Sequence, residues 1–251
     1  MTPRQPRSGA FGLGRTFRRE PQMVSLLVRM WVAAVRRVVG PSVRHSPAVD
    51  PTDVKCYPSS MKPASPMRLS EAEYLALEAR SEAKHELING VAYDMAGASP
   101  AHNLVVSNVV FALRTALGSA GGKCIVLGSD QRLHVPATGM YTYPDVMVVC
   151  GRPVLHGPPP QSVVNPTVIV EVLSESTEND DRGPKFAHYR TIGSLQDVLF
   201  VSQTEPRVEH YHRLDTGQWL LTELTGGWVA VPGLGCELAV DLLYENLELL
   251  A

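Results

Sequence analysis

Val168-Ile169-Val170-Glu171-Val172-Leu173 is apolar on both faces of a strand, with one carboxylate in its middle. Near-continuous β-branched runs of this kind form central strands covered on both sides. Asp145-Val146-Met147-Val148-Val149-Cys150 has the same character and starts directly after Pro144. A Pro-rich loop, 151–166, joins the two. Beyond Glu171, residues 180–192 have helical patterning and end at Gly193. Strands are expected at about 196–202, 207–213 and 218–224, with turns at Thr216-Gly217 and Gly226-Gly227.

Working back toward the N-terminus, apolar residues from Leu104 to Leu117 repeat with helical spacing, which predicts a helix over 101–119. Strands are expected at about 123–128 and 131–135. Asn89-Gly90 between two apolar-containing runs is a strong hairpin signal and puts Glu86 on the first strand. Ser70 and Glu73 have capping-box spacing ahead of a helix carrying Tyr74, Leu75 and Leu77. The order helix, hairpin, helix, strands, helix, strands predicts an α/β protein with a sheet partly covered by helices.

Charge divides the chain in two. Residues 1–66 carry 11 Lys and Arg against 3 Asp and Glu, whereas residues 67–251 carry 12 against 22. Residues 1–66 therefore read as a basic leader, expected to be disordered, and 67–251 as the folded domain. Three readings of the leader stand. It is a basic arm that touches nucleic acid, it holds a short amphipathic helix near 24–39, or it is absent from a mature protein starting at Met61 or Met67. The last is favoured because organised patterning begins only at Met67.

The apolar stretch Val24–Gly40 is broken by Arg29, Arg36 and Arg37. A membrane span needs about 20 predominantly apolar residues, so none is expected, and a secretory signal fails for the same reason. Cys56, Cys124, Cys150 and Cys236 contain no C-x-x-C pair. They read as four reduced thiols in a cytoplasmic protein. The acidic domain lacks the overall positive charge of proteins that grip DNA through many phosphates. No phosphate-binding glycine loop, no G-x-S-x-G around Ser174 and no internal repeat is present.

A carboxylate inside an apolar strand must be compensated by a cation, by hydrogen bonds or by a metal ion. Asp145 and Glu171, on neighbouring central strands, could share one divalent ion. Oxygen ligands of this kind suit Mg²⁺, with Mn²⁺ substituting, and such an ion activates water and neutralises phosphate charge. Lys185 is the only lysine after Lys123 and follows the Glu171 strand by one loop. It could stabilise charge on a phosphate or orient the water. Glu86 could hold a second metal or a water. Taken singly, each residue has a plainer reading: Asp145 as a turn or cap residue, Lys185 as a solvated helix lysine, Glu86 as a hairpin surface residue. Asp130, after Gly128-Ser129, is an outer-shell candidate or a turn residue. His210 and His212 face one way on a strand with no further ligand evident nearby, so a solvated face is expected.

Five segments carry a family likeness: His85-Glu86-Leu87-Ile88-Asn89-Gly90; Met95 with Ser99 and His102; Tyr143-Pro144-Asp145-Val146; Ile169-Val170-Glu171-Val172-Leu173-Ser174; and Asp181 to Tyr189. Together they make residues 67–251 resemble the Uma-two family of restriction-endonuclease type, bacterial proteins assigned to the PD-(D/E)XK nuclease fold. The resemblance implies a restriction-endonuclease-like mixed central sheet flanked by helices, here with additional C-terminal antiparallel strands. It implies Mg²⁺ held by Asp145 and Glu171, with Glu86 as an early acid of the same site.

One departure matters. Leu173 stands where the superfamily has a lysine, and the family's usual solution, a lysine moved to the next helix, fits Lys185. Tyr189 is one helical turn further on and shares its face. His102 matches a family position and could polarise a phosphate or support Glu86. The implied function is Mg²⁺-dependent hydrolysis of phosphodiester bonds, with DNA as partner and a homodimer by analogy. The alternative is an inactive binding or assembly module that keeps the fold.

Overall fold

A computed structural model of the chain describes residues 68–95, 97–119, 123–174, 178 and 181–250. The basic leader lies outside the described residues.

Helix α1, Glu71–Glu78, opens on the expected capping box. The Ser70 side chain accepts from the Glu73 N–H, and Glu73 reaches back to the Ser70 N–H. Strands β1, His85–Ile88, and β2, Val91–Asp94, form the expected hairpin. Asn89 and Gly90 have φ of 52° and 81°, which matches the left-handed pair of a two-residue type I′ turn. Helix α2, Pro100–Ser119, is the one long helix among the described residues. Ser99 caps it through the His102 N–H, and Pro100 supplies a pre-set φ at its first position.

The strands β3 (Cys124–Gly128), β4 (Leu133–Val135), β5 (Met140–Thr142), β6 (Val146–Cys150), β7 (Leu155–His156), β8 (Ser162–Val163) and β9 (Val168–Leu173) follow. A π-helical turn, Asp181–Lys185, runs into helix α3, Phe186–Tyr189. Then come β10 (Asp197–Ser202), β11 (Val208–Arg213), β12 (Trp219–Leu224), β13 (Trp228–Val231), β14 (Cys236–Ala239) and helix α4 (Val240–Leu243).

The protein is α/β with mixed sheets, as expected. One six-stranded sheet has the order β12-β11-β10-β9-β6-β3, and β9 and β10 are its parallel pair. The second has the order β2-β1-β5-β4-β8-β7, with β4 and β8 parallel. Strands β13 and β14 form a separate antiparallel pair. Alternate residues of β6, β9 and β10 feed two cores. Val146, Val168, Val170 and Leu199 pack with α2 and with Val229, Leu238 and Leu243. Met147, Ile169, Val198 and Phe200 pack on the other face with Leu133, Met140, Phe186 and Tyr189. Each fully buried Val or Leu contributes about 1.5–3 kcal/mol.

Three expectations are corrected. The helix expected over 180–192 is a π-turn and one short α-helical turn, because Gly183 and Pro184 sit inside it. The loop expected over 151–166 contains β7 and β8, two-residue strands too short to show periodicity. The four reduced thiols are not all reduced, since Cys124 and Cys150 form a disulfide.

The physical reason is register. Cys124 and Cys150 are direct partners across β3 and β6, with Cα atoms 4.0 Å apart. The Gly151 N–H bonds to the Lys123 carbonyl one position on, so the cysteines occupy the narrow pair of the ladder. Cys236 is a free thiol, and Cys56 lies outside the described residues. Reduction, or Cys150→Ser, is expected to lower stability by about 2–4 kcal/mol. A fall in the urea midpoint on adding dithiothreitol to wild type, with none in Cys150→Ser, checks this.

Candidate active site

The antiparallel ladder of β6 and β9 ends at Val146 opposite Val170. The next pair outward is Asp145 and Glu171, and here side chains take over from the ladder. Asp145 Oδ2 accepts from the Val172 N–H at 2.7 Å, and Glu171 Oε2 accepts from the Asp145 N–H at 3.2 Å. Each carboxylate is thus fixed by the other's strand. His102, in the first turn of α2, brings Nε2 to within 3.0 Å of Asp145 Oδ1. The positive end of α2 also favours negative charge here.

The second sheet supplies Glu86. Its strand is clamped by α1: Tyr74 donates to the His85 carbonyl at 2.8 Å, and Glu78 accepts from the His85 N–H at 3.0 Å. Glu86 is 1 % exposed, so the hairpin surface position open to it as an isolated residue is ruled out. Thr142 on β5 donates to Glu86 Oε1. Glu86 Oε2 is buried with no hydrogen-bond partner.

Lys185, also buried, bridges the two sheets. Its Nζ lies 2.9 Å from Glu86 Oε1, 3.1 Å from Asp181 Oδ1 and 3.8 Å from Glu171 Oε1. Tyr189 donates to Glu171 Oε1 at 2.5 Å. The π-turn and α3 therefore deliver an ammonium and a phenol to the same carboxylate.

The electrostatics follow from this crowding. Burial pushes the Glu171 carboxyl well above its ordinary range; Lys185 pulls it back, while Asp181 and Asp145 push it further up. Burial works against the charge on Lys185, but Glu86, Glu171 and Asp181 outweigh it and hold the ammonium's pKa well above the usual lysine value. Burial, then the Glu171 charge, pushes the Tyr189 phenol up. Lys185 is therefore a fixed cation and a poor proton acceptor.

The donors are all suited to a hard divalent cation. Asp145, Glu171 and Glu86 offer carboxylate oxygens, and the buried, unpartnered Oε2 of Glu86 is the kind of atom a metal ion satisfies. The residues present fit an ion of the Mg²⁺ class.

The model of the Uma2 family, described as "Putative restriction endonuclease", matches residues 71–242. The chain belongs to the Uma2 family. Two relatives from Synechocystis sp. are similar to the chain in sequence. "Uncharacterized protein sll1609" is 41% identical over 158 residues, covering 63% of this chain and 88% of the relative. "Uncharacterized protein slr1290" is 36% identical over 187 residues, covering 74% and 96%. Among solved structures, a "putative nuclease belonging to DUF820" from Anabaena variabilis superposes with a TM-score of 0.58. It shares 17% identity and covers 72% of this chain and 99% of that one. At that identity the likeness shows a shared fold.

In this Uma2 protein the structure brings together Glu86, Asp145, Glu171, Lys185, Tyr189 and His102. Asp130 is not among them: it is exposed in a turn and pairs with Lys84 at 2.5 Å. Sequence reasoning missed Asp181 and Thr142. Asp181 stands four residues before Lys185, a spacing that could have flagged the pair. Thr142 lies in a three-residue strand with no periodic signal.

His210 and His212 are a correction. They do not face solvent alone, because both ring nitrogens meet the buried carboxylate of Asp197 on β10. Asp197 was invisible as a partner because the pairing depends on the register of β10 with β11.

Proposed function

We propose that this Uma2 protein is a divalent-cation-dependent endonuclease that hydrolyses phosphodiester bonds in DNA, with Asp145, Glu171, Glu86 and Lys185 as its catalytic group. The observation that carries the reading is one buried lysine held between Glu86 of one sheet and Glu171 of the other, with Asp145 fixed beside Glu171. Mg²⁺ or Mn²⁺ held by Asp145 and Glu171, with Glu86 beside them, would lower the pKa of a water and neutralise charge on the phosphate.

The protein's own groups do the rest. Lys185 stays an ammonium and stabilises charge developing on the phosphate oxygens. Tyr189 fixes the orientation of Glu171 through its hydroxyl. His102 holds Asp145 from the other side. The acidic domain disfavours a broad grip on phosphates, so DNA contact is local. Double-strand cleavage would need two such centres, which favours a homodimer. No described helix is long and apolar enough to cross a membrane.

The test is cleavage of supercoiled plasmid by the purified full chain with Mg²⁺ or Mn²⁺ and with EDTA, beside an RNA substrate. Nicking that needs the ion and prefers DNA supports the reading. Intact substrates together with no Mn²⁺ uptake would make the protein a non-catalytic module. The raised Glu171 pKa adds a signature. Protons compete with the ion for this carboxylate, so Mn²⁺ affinity should rise with pH through that pKa and weaken as pH falls. Calorimetry at acidic and mildly alkaline pH reads it, and a pH-independent affinity would contradict a raised pKa at this ligand.

A further inference from the structure

Asp197 opens β10, opposite His212 on β11 and diagonal to His210. Alternation puts these three on the sheet face that carries Val168, Val170, Leu199 and Val201. Glu171 pairs with Phe200 and lies on the other face. Three residues along β10 separate Asp197 from Phe200, about 10 Å. The cluster is therefore distinct from the candidate active site.

Asp197 is fully buried. Its Oδ1 lies 2.8 Å from His210 Nε2 and 2.8 Å from His212 Nδ1. Its Oδ2 accepts from the Gly233 N–H at 2.8 Å. A Cβ at position 233 would sit 2.4 Å from that oxygen, so the close approach requires glycine. The turn thus holds one oxygen and turns the other toward both imidazoles.

A buried carboxylate needs a compensating charge. Among the described residues its ion-pair partners are these two imidazoles. Compensation comes from a proton on a ring or from a cation among the three atoms. Those atoms all lie within 4.8 Å of one another, and two nitrogens converge on a single point rather than on separate oxygens.

We infer that Asp197, His210 and His212 form a second metal site, taking a transition-metal cation of the Zn²⁺ class that pins β10 to β11. Two imidazoles and one carboxylate select such ions over Mg²⁺. Three protein ligands leave one tetrahedral position for solvent, and His212, 25% exposed, gives access to it. The Gly233 N–H orients the carboxylate as an outer-shell partner. The free Cys236 thiol lies near enough for Asp197 to add to the burial that raises its pKa.

Co²⁺ titration of the full chain, read by visible absorption, tests this. Wild type should show an imidazole-type band that saturates at one equivalent for this site and that Zn²⁺ displaces. His210→Gln and His212→Gln should each weaken binding by more than about 100-fold, beyond the range of outer-shell changes. Asp145→Ala should keep the band, which separates this site from the proposed nuclease centre. No band in wild type, or an unchanged band in both Gln variants, would overturn the site and leave a proton-bridged triad. If the Gln variants fail to fold, Zn²⁺-soaked wild-type crystals decide. An anomalous peak between the three ligand atoms supports the site, and an empty position refutes it.

Discussion

Asp145→Ala is expected to lower Mg²⁺-dependent DNA cleavage by about 10³-fold or more, roughly 4 kcal/mol at the barrier. The carboxylate sits where the β6–β9 ladder stops, next to Glu171 and His102. Removing it takes away one of the two proposed primary ligands. It also leaves the Val172 N–H without its acceptor, which alone costs about 1–3 kcal/mol of stability. Asp145→Asn separates the two effects, because its amide oxygen can still accept from Val172 while the charge is gone. If the account holds, Asn restores stability but not cleavage. Asp130→Ala, which removes only an exposed pair with Lys84, should leave the rate unchanged. Initial rates of plasmid nicking and thermal melts on all three variants provide the check.

Lys185→Met is expected to destabilise the metal-free protein by about 3–5 kcal/mol, because it leaves buried carboxylates without their cation. Glu86, Asp181 and Glu171 all surround the ammonium within 3.8 Å. The sign of the pH dependence follows. In the variant Glu171, whose carboxyl burial already pushes up, loses the Lys185 charge that pulls it back, so folding takes up protons. The deficit should be largest at neutral and higher pH and should shrink as pH falls. The same change should slow cleavage by about 10²–10³-fold through loss of charge stabilisation at the phosphate. Urea unfolding across pH, together with nicking rates, tests both halves. A variant as stable as wild type at every pH would contradict the buried cluster.

Local signals made much of the fold legible. Asn89-Gly90 carries its own turn geometry, Ser70 and Glu73 carry a cap, and the apolar spacing from Leu104 to Leu117 carries α2. The apolar runs around Asp145 and Glu171 carried the central strands, and a charge inside such a run is conspicuous because burial is costly. What escaped was set by tertiary register. The Cys124–Cys150 bridge and the Asp197 partnership of His210 and His212 depend on which residues face each other across strands. Glu86 looked ordinary because its cover comes in part from β5, distant in sequence. The π-turn holding Asp181 and Lys185 was smoothed into a helix because its patterning is nearly helical.

The proposed centre places one divalent ion on Asp145 and Glu171 beside Lys185. Anomalous diffraction from crystals soaked in Mn²⁺ measures this directly. The expected result is a peak touching both carboxylates, with the Lys185 ammonium alongside. A soaked crystal with no ion at these carboxylates, while Mn²⁺ occupies other sites, would contradict it.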